Sequence, residues 1–167
     1  GDVYKRQHIF VPELSGKTKI ELIKRTGASL TIVPGTYAEA LEAANKHQKE
    51  TGAVSIHAYD SRKTIIGQGT LFCEWENQGL EADTIMIAVG GGGLISGAIS
   101  WFQKRKKIVA VEPENCSTLN TALKKGKPSN VSVSGVAASA LGAKSIGDIC
   151  FGLIKENQIA VSYTHLR

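Results

Sequence analysis

The chain has 167 residues, of which 42% are hydrophobic and 21% are charged, so it is suited to a folded core and is not a disordered tail. Its net charge of +5 is scattered except at residues 104–107, which fit a solvated helix end, so we expect no nucleic-acid partner. Its three cysteines lack metal-type or redox-type spacing, and no apolar run reaches the roughly 18 residues of a membrane span. We therefore expect a cytoplasmic protein without a membrane partner.

The two ends of the chain differ in character from the rest. Residues 1–7 and 161–167 resemble translated sequencing-adapter sequence. We therefore expect a non-native leader and a non-native tail, and we exclude both from the prediction of the fold.

Between the ends, short apolar runs alternate with segments of helical period, which predicts βα units with parallel strands. The predicted strands cover residues 9–11, 29–33, 53–57, 84–89 and 107–112. The predicted helices cover residues 17–26, 36–50, 61–78, 94–103, 117–125 and 146–156. The strand at 84–89 is nearly all apolar, as is usual for a strand covered on both faces of a parallel sheet. The pattern indicates the α/β class.

Two helix starts carry recognisable capping residues. Thr36 and Glu39 have the spacing of a capping box, in which each side chain bonds a backbone amide near the other. Asp60 or Ser61 is placed to cap the long helix that follows.

Four consecutive glycines, Gly90, Gly91, Gly92 and Gly93, lie between a buried strand and a helix. Their amides have no Cβ to block a ligand, and they point outward at a helix start, where anions bind. Each charge-assisted hydrogen bond there contributes about 1.5 to 3 kcal/mol. A tight turn needs only one or two glycines, so we favour an anion site over a turn that binds nothing. No GxGxxG or GK[ST] motif is present, which disfavours a Rossmann dinucleotide site and a P-loop.

The sequence around these glycines resembles the serine/threonine dehydratases, which are fold type II enzymes that use pyridoxal phosphate (PLP). The resemblance rests on Ile-Gly-Gln-Gly-Thr at 66–70, Val-Gly-Gly-Gly-Gly-Leu-Ile-Ser-Gly at 89–97 and Val-Ala-Val-Glu-Pro-Glu at 109–114. Weaker matches lie at residues 9–13, 25–28, 57–60, 135–137 and 141–143.

This resemblance implies parallel sheets flanked by helices, in the tryptophan synthase β-like fold, truncated at both ends. Residues 8–60 would form part of the small cofactor domain. Residues 61–160 would form part of the large domain, which carries the glycine loop.

The resemblance also implies the roles of several site residues. The four glycines would cradle the PLP phosphate, and Leu94 would begin the supporting helix. Tyr59 matches a residue beside the PLP ring, although a plain packing role is an equal alternative. Gly135 matches a loop that lines the opposite side of the site.

Glu112 matches a glutamate that, in some relatives, holds a divalent cation together with a carbonyl and an aspartate. The position of that aspartate is Thr118 in this chain. Glu112 is therefore a candidate cation ligand, and a salt bridge at the end of a strand is the favoured alternative.

The family's reaction is the β-elimination of water from a hydroxy amino acid, which gives a 2-oxo acid and ammonia. Its Schiff-base lysine lies in a Ser-x-Lys-x-Arg-Gly segment, and neither Lys17 nor Lys63 is followed by Arg-Gly. We therefore expect the catalytic lysine to lie outside this chain and the chain alone to be inactive.

Two alternatives to a dehydratase stay open. One is a serine or hydroxyaspartate racemase of the same family. The other is a non-enzymatic α/β module that binds a phosphate or a nucleotide. As an enzyme, the parent would act on a small amino acid, and we expect it to be a homo-oligomer.

Overall fold

The computed structural model describes residues 6–13, 15–35 and 37–164, except for the side chains of residues 139, 163 and 164. The chain divides into two compact units, Gly1–Ser55 and Ile56–Arg167. No helix within these described ranges is both long enough and apolar enough to cross a membrane.

The first unit contains two βα pairs. Its elements are β1 (His8–Pro12), α1 (Lys17–Arg25), β2 (Ser29–Val33) and α2 (Tyr37–Thr51). The two strands are parallel, with His8 opposite Ser29, so α1 serves as the crossover that parallel strands require. Val11 and Ala40 are the buried apolar residues of this unit among those described.

The second unit contains a parallel three-stranded sheet in the order β3-β4-β5. Its elements are α3 (Arg62–Asn77), β3 (Thr84–Ala88), α4 (Gly93–Phe102), β4 (Lys107–Pro113), a 3-10 turn (Glu114–Cys116), α5 (Thr118–Lys125), α6 (Ala138–Leu141), α7 (Asp148–Glu156) and β5 (Ala160–Thr164). Because the strands are parallel, their carboxyl ends lie at one edge of the sheet. The segments that follow β3 and β4 are therefore neighbours.

The core of the second unit lies where α3, α4 and α7 meet one face of the sheet. Helices α3 and α4 approach closely because Gly97 has no Cβ. A Cβ at this position would lie only 2.7 Å from the amide nitrogen of Gly69. Beside this crossing, Phe72 and Phe102 are fully buried, with their ring centroids 5.6 Å apart. A tightly packed core therefore supports the loop between β3 and α4.

The parallel α/β class predicted from the sequence is confirmed, and most predicted elements lie within two residues of their observed bounds. The strand predicted at residues 53–57 is wrong. Val54 and Ile56 are 79% and 82% exposed, and no strand in the described part of the chain pairs with this segment. A strand needs a neighbour to accept its hydrogen bonds, and the local apolar pattern does not report on that neighbour.

Strand β5 is not predicted from the sequence, because residues 161–167 resemble a foreign tail. In the structure residues 161–164 continue β5, which pairs with β4. The foreign origin of the two ends stays a prediction, and most of the leader lies outside the described residues.

The prediction that Asp60 or Ser61 caps α3 with its side chain is wrong, and the capping prediction for α2 is not tested. Ser61 is the N-cap residue of α3, but its side chain makes no capping hydrogen bond. The carboxylate of Asp60 lies at the start of α7 instead, 88 residues further along the chain. Thr36, the proposed capping residue of α2, lies outside the described residues.

Replacing Phe102 with alanine should lower the free energy of unfolding by about 3 to 5 kcal/mol, because it removes a buried ring and leaves a cavity. The control is Met86→Ala on β3, where the side chain is 66% exposed and the change should stay near 0.5 kcal/mol. Urea unfolding followed by circular dichroism measures both. Equal losses in the two variants would contradict this description of the core.

Candidate functional site

The glycine loop, residues 90–93, connects β3 to α4 at the carboxyl edge of the parallel sheet. This edge is where open α/β sheets bind their ligands. Gly92 is the N-cap residue of α4 and has a φ of +94°, which favours glycine, and Gly93 is the first helical residue. The loop therefore places successive backbone amides at the start of a helix.

Side chains are excluded from this loop by its neighbours. A Cβ on Gly91 would lie only 2.3 Å from the nearest ring atoms of Tyr59, and one on Gly92 would lie 2.8 Å from the Cβ of Cys150. A Cβ on Gly93 would lie 3.0 Å from the Cα of Tyr59. Packing therefore requires glycine at these positions. Because packing alone explains the glycines, their number does not by itself indicate a ligand.

Independent evidence comes from the carbonyl groups of the loop. Three consecutive carbonyl oxygens each accept a hydrogen bond: that of Gly90 from Thr118 Oγ1 at 2.6 Å, that of Gly91 from the Gly147 amide at 3.1 Å, and that of Gly92 from the Ser96 amide at 3.0 Å. These bonds fix the orientation of three successive peptide planes.

In a trans peptide unit the C=O and the N–H lie in one rigid plane and point in opposite directions. The amides of Gly91, Gly92 and Gly93 therefore point away from the groups that hold the preceding carbonyls. Within the described ranges, these three amides donate to no other residue. Free amides at Gly92 and Gly93 are normal for the N-cap and the first residue of a helix, but that of Gly91 is additional.

Buried donors without a partner cost about 1 to 3 kcal/mol each. Gly92 and Gly93 are buried and Gly91 is half-buried, so their amides are poorly placed to be satisfied by bulk water. Anions are the ligands that such amides at a helix start usually bind. The loop thus has the features expected of an anion site.

Tyr59, predicted to lie beside the cofactor ring, is brought against the glycine loop. Its backbone amide and that of Asp60 both donate to Nδ1 of His57, at 3.2 and 2.9 Å. Its hydroxyl donates to the carbonyl of Ser145 at 3.4 Å. The ring of Tyr59 is therefore fixed from both ends, over Gly91.

The Asp60 carboxylate accepts hydrogen bonds from three successive amides at the start of α7. The distances from the amides of Asp148, Ile149 and Cys150 are 3.0, 3.0 and 3.4 Å. A carboxylate is favoured at this position because it satisfies free amides and complements the helix dipole. The residue that precedes α7 is Gly147, whose amide holds the Gly91 carbonyl. Asp60 thereby helps to place one of the three donors behind the loop.

Two of the other predicted site residues have different surroundings. Gly135 has a φ of +79°, and a Cβ there would overlap the side-chain amide of Asn115. Among the described residues, the atoms nearest to that Cβ belong to Asn115 and not to the glycine loop. Leu94, predicted to begin the supporting helix, is the second residue of α4 and packs against the core.

The carboxylate of Glu112 is fully buried at the end of β4. It accepts hydrogen bonds from the Leu119 amide at 2.7 Å and the Asn120 amide at 2.9 Å, so it caps α5. Burial raises the pKa of this carboxyl above its usual value. The predicted salt bridge is wrong, since no cationic side chain pairs with Glu112 among the described residues. The same described residues contain no group of three or more His, Cys, Asp or Glu side chains that could hold a metal ion.

Comparison with known proteins identifies the family. Residues 3–164 match the family model for the pyridoxal-phosphate dependent enzymes. The chain belongs to this family.

Its relatives include dehydratases and racemases. The chain is 33% identical over 160 residues to the L-threonine dehydratase biosynthetic IlvA of Corynebacterium glutamicum, covering 90% of this chain and 37% of the relative. It is 32% identical over 152 residues to the serine racemase of Arabidopsis thaliana, covering 89% and 46%. The solved structure of maize serine racemase is 29% identical and superposes with a TM-score of 0.86, covering 96% of this chain and 49% of that one. The chain has the fold of these PLP enzymes and spans less than half the length of each of these relatives.

The reactivity of the cysteines provides a test of the packing behind the loop. Cys150 is buried against Gly92, and burial raises the pKa of its thiol to about 11. At pH 8 about one thiol in a thousand is then ionised, so iodoacetamide should leave Cys150 unmodified in the native protein while it alkylates the half-buried Cys73. Mass spectrometry of peptides locates the label, and a urea-denatured sample is the control in which both react. Native Cys150 that reacts as fast as Cys73 would contradict the packing described for Gly92.

Proposed function

We propose that this chain supplies the wall of a PLP site that binds the cofactor's phosphate. The observation that carries this proposal is the set of three successive amides, at Gly91, Gly92 and Gly93, whose peptide units are each held by a hydrogen bond to the carbonyl and which lack a partner among the described residues. A phosphate dianion matches them, since each charge-assisted hydrogen bond contributes about 1.5 to 3 kcal/mol. The start of α4 adds about 0.3 to 1 kcal/mol.

The remaining residues would orient the cofactor rather than hold its charge. Gly90 contributes its carbonyl, through which Thr118 fixes the loop, and Leu94 anchors α4 in the core. The Tyr59 ring, which lies against Gly91, would border the cofactor ring. Gly135 is the weakest member of the proposed site, because its contact is with Asn115. When bound, PLP supplies an electron sink for a carbanion at the α-carbon of an amino acid.

For the parent enzyme we propose β-elimination of water from a hydroxy amino acid, giving a 2-oxo acid and ammonia. The relatives named as threonine dehydratases support this reaction, and the serine racemases keep racemisation as the second candidate. We propose that the Schiff-base lysine comes from outside this chain, because no lysine here has the expected sequence context. The chain alone would then bind the cofactor's phosphate without turning over substrate.

A divalent cation at Glu112 is not part of this proposal. Both oxygen atoms of the Glu112 carboxylate already accept backbone amides, whose positive ends face the place a cation would take. Homo-oligomer formation and residence in the cytoplasm stay predictions.

The phosphate site can be tested with pyridoxine 5′-phosphate and pyridoxine, which lack the aldehyde and so form no Schiff bases with surface lysines. The wild-type chain should bind the phosphorylated compound at least about tenfold more tightly, as expected for one or more charge-assisted hydrogen bonds. Gly91→Ala should lose this preference, because the new Cβ collides with the Tyr59 ring and displaces the loop. Calorimetric titration measures the affinities.

The matched control is Gly152→Ala in α7, where a Cβ meets no atom within 4 Å and the preference should be unchanged. Equal binding of the two pyridoxine compounds by the wild-type chain would overturn the proposal. Binding of ATP as tight as that of pyridoxine 5′-phosphate would instead favour a general phosphate or nucleotide module.

A further inference from the structure

Thr118 joins two parts of the second unit that are distant in sequence. Its hydroxyl is fully buried, and Oγ1 lies 2.6 Å from the carbonyl oxygen of Gly90 and 3.2 Å from Oε1 of Glu112. The two neighbours come from the ends of adjacent parallel strands, so β3 and β4 place them at the same edge of the sheet. A single hydroxyl group thus connects the glycine loop to the end of β4.

The direction of this connection follows from the types of atom. The Thr118 hydroxyl carries one proton, and the Gly90 carbonyl oxygen and the Glu112 carboxylate oxygen both accept. The bond to Gly90 is shorter, at 2.6 Å against 3.2 Å, so it is the stronger of the two that the hydroxyl donates.

Glu112 acts on Thr118 through the backbone. Its two carboxylate oxygens hold the amides of Leu119 and Asn120, which follow Thr118 in the first turn of α5. These bonds fix the start of the helix and hence the Cα of Thr118. Because Glu112 satisfies the helix start, α5 does not need the Thr118 hydroxyl for capping. The hydroxyl remains available for the loop.

The Gly90 carbonyl and the Gly91 amide belong to the same rigid peptide unit. Holding the carbonyl oxygen therefore sets the direction of the Gly91 N–H. A hydrogen bond to the carbonyl also polarises the peptide unit, which makes its N–H a stronger donor. The Gly91 amide is the free donor that a plain helix start does not provide.

We propose that Thr118 is a positioning residue that orients the Gly91 amide toward a phosphate, with Glu112 holding the helix that carries it. The identity of the ligand rests on the proposed function. The orientation of the Gly91 peptide unit rests on the geometry alone. Thr118 touches no ligand in this scheme and acts through Gly90.

The test compares three substitutions in the 167-residue chain. Thr118→Val removes the hydroxyl at nearly constant shape, and Thr118→Ser keeps it. Thr121→Val is the matched control, since Thr121 lies in the same helix and its hydroxyl bonds no other described residue. Thr118→Ala, a second variant without the hydroxyl, is measured in case the valine variant does not fold.

Two quantities are measured for each variant. The first is the ratio of the affinities for pyridoxine 5′-phosphate and pyridoxine. Thr118→Val should lower this ratio about tenfold, the value of one lost hydrogen bond, while Thr118→Ser and Thr121→Val keep it. The second is the 15N resonance of Gly91 in the ligand-free chain. It should move upfield in Thr118→Val and stay in place in Thr118→Ser.

The outcomes separate this inference from the proposed function. An unchanged affinity ratio and an unchanged Gly91 resonance in Thr118→Val and Thr118→Ala would overturn the role of Thr118, even if the thermal midpoint fell. A wild-type chain with no preference for the phosphate compound would overturn the proposed function. In that case the Gly91 resonance alone would still decide whether Thr118 holds the peptide unit.

Discussion

The rigidity of the peptide bond is the constraint on which the glycine loop depends. A carbonyl oxygen and the next amide cannot turn independently, so a donor on one side of the loop determines what faces the other side. Thr118, Gly147 and Ser96 supply three such donors behind consecutive peptide units. The proposed anion site would therefore be built by groups that never touch the anion, and glycine is required because neighbouring residues occupy the space of a Cβ.

Two carboxylates hold two of these donors in place, each by accepting the first amides of a helix. Asp60 accepts the first amides of α7 and so fixes the segment that contains Gly147, while Glu112 accepts the first amides of α5 and so fixes Thr118. In both cases an acidic side chain satisfies a helix start that would otherwise leave free donors. The acidic groups are thereby committed to helix starts, and the amides of the loop are left free for an anion.

Much of the fold follows from local pattern, and much of the site does not. The alternation of apolar runs with helical segments predicts the parallel α/β class, and the glycine run predicts the anion site itself. The role of Asp60 is missed because its partner helix lies 88 residues away, and no local spacing records that contact. Thr118 is noticed in the sequence only where it replaces a family aspartate, and its bond to Gly90 requires knowledge that β3 and β4 are neighbours. Strand pairing is likewise a long-range property, which is why residues 53–57 are wrongly predicted as a strand.

The central claim is that the amides of Gly91, Gly92 and Gly93 are free and directed toward one anion. Titration of the isotopically labelled chain with pyridoxine 5′-phosphate, followed by the three amide proton resonances, tests it most directly. The account predicts that all three move downfield together and that pyridoxine without the phosphate moves none of them. Resonances that stay in place at saturation, or amides that are already protected from hydrogen exchange in the ligand-free chain, would contradict it.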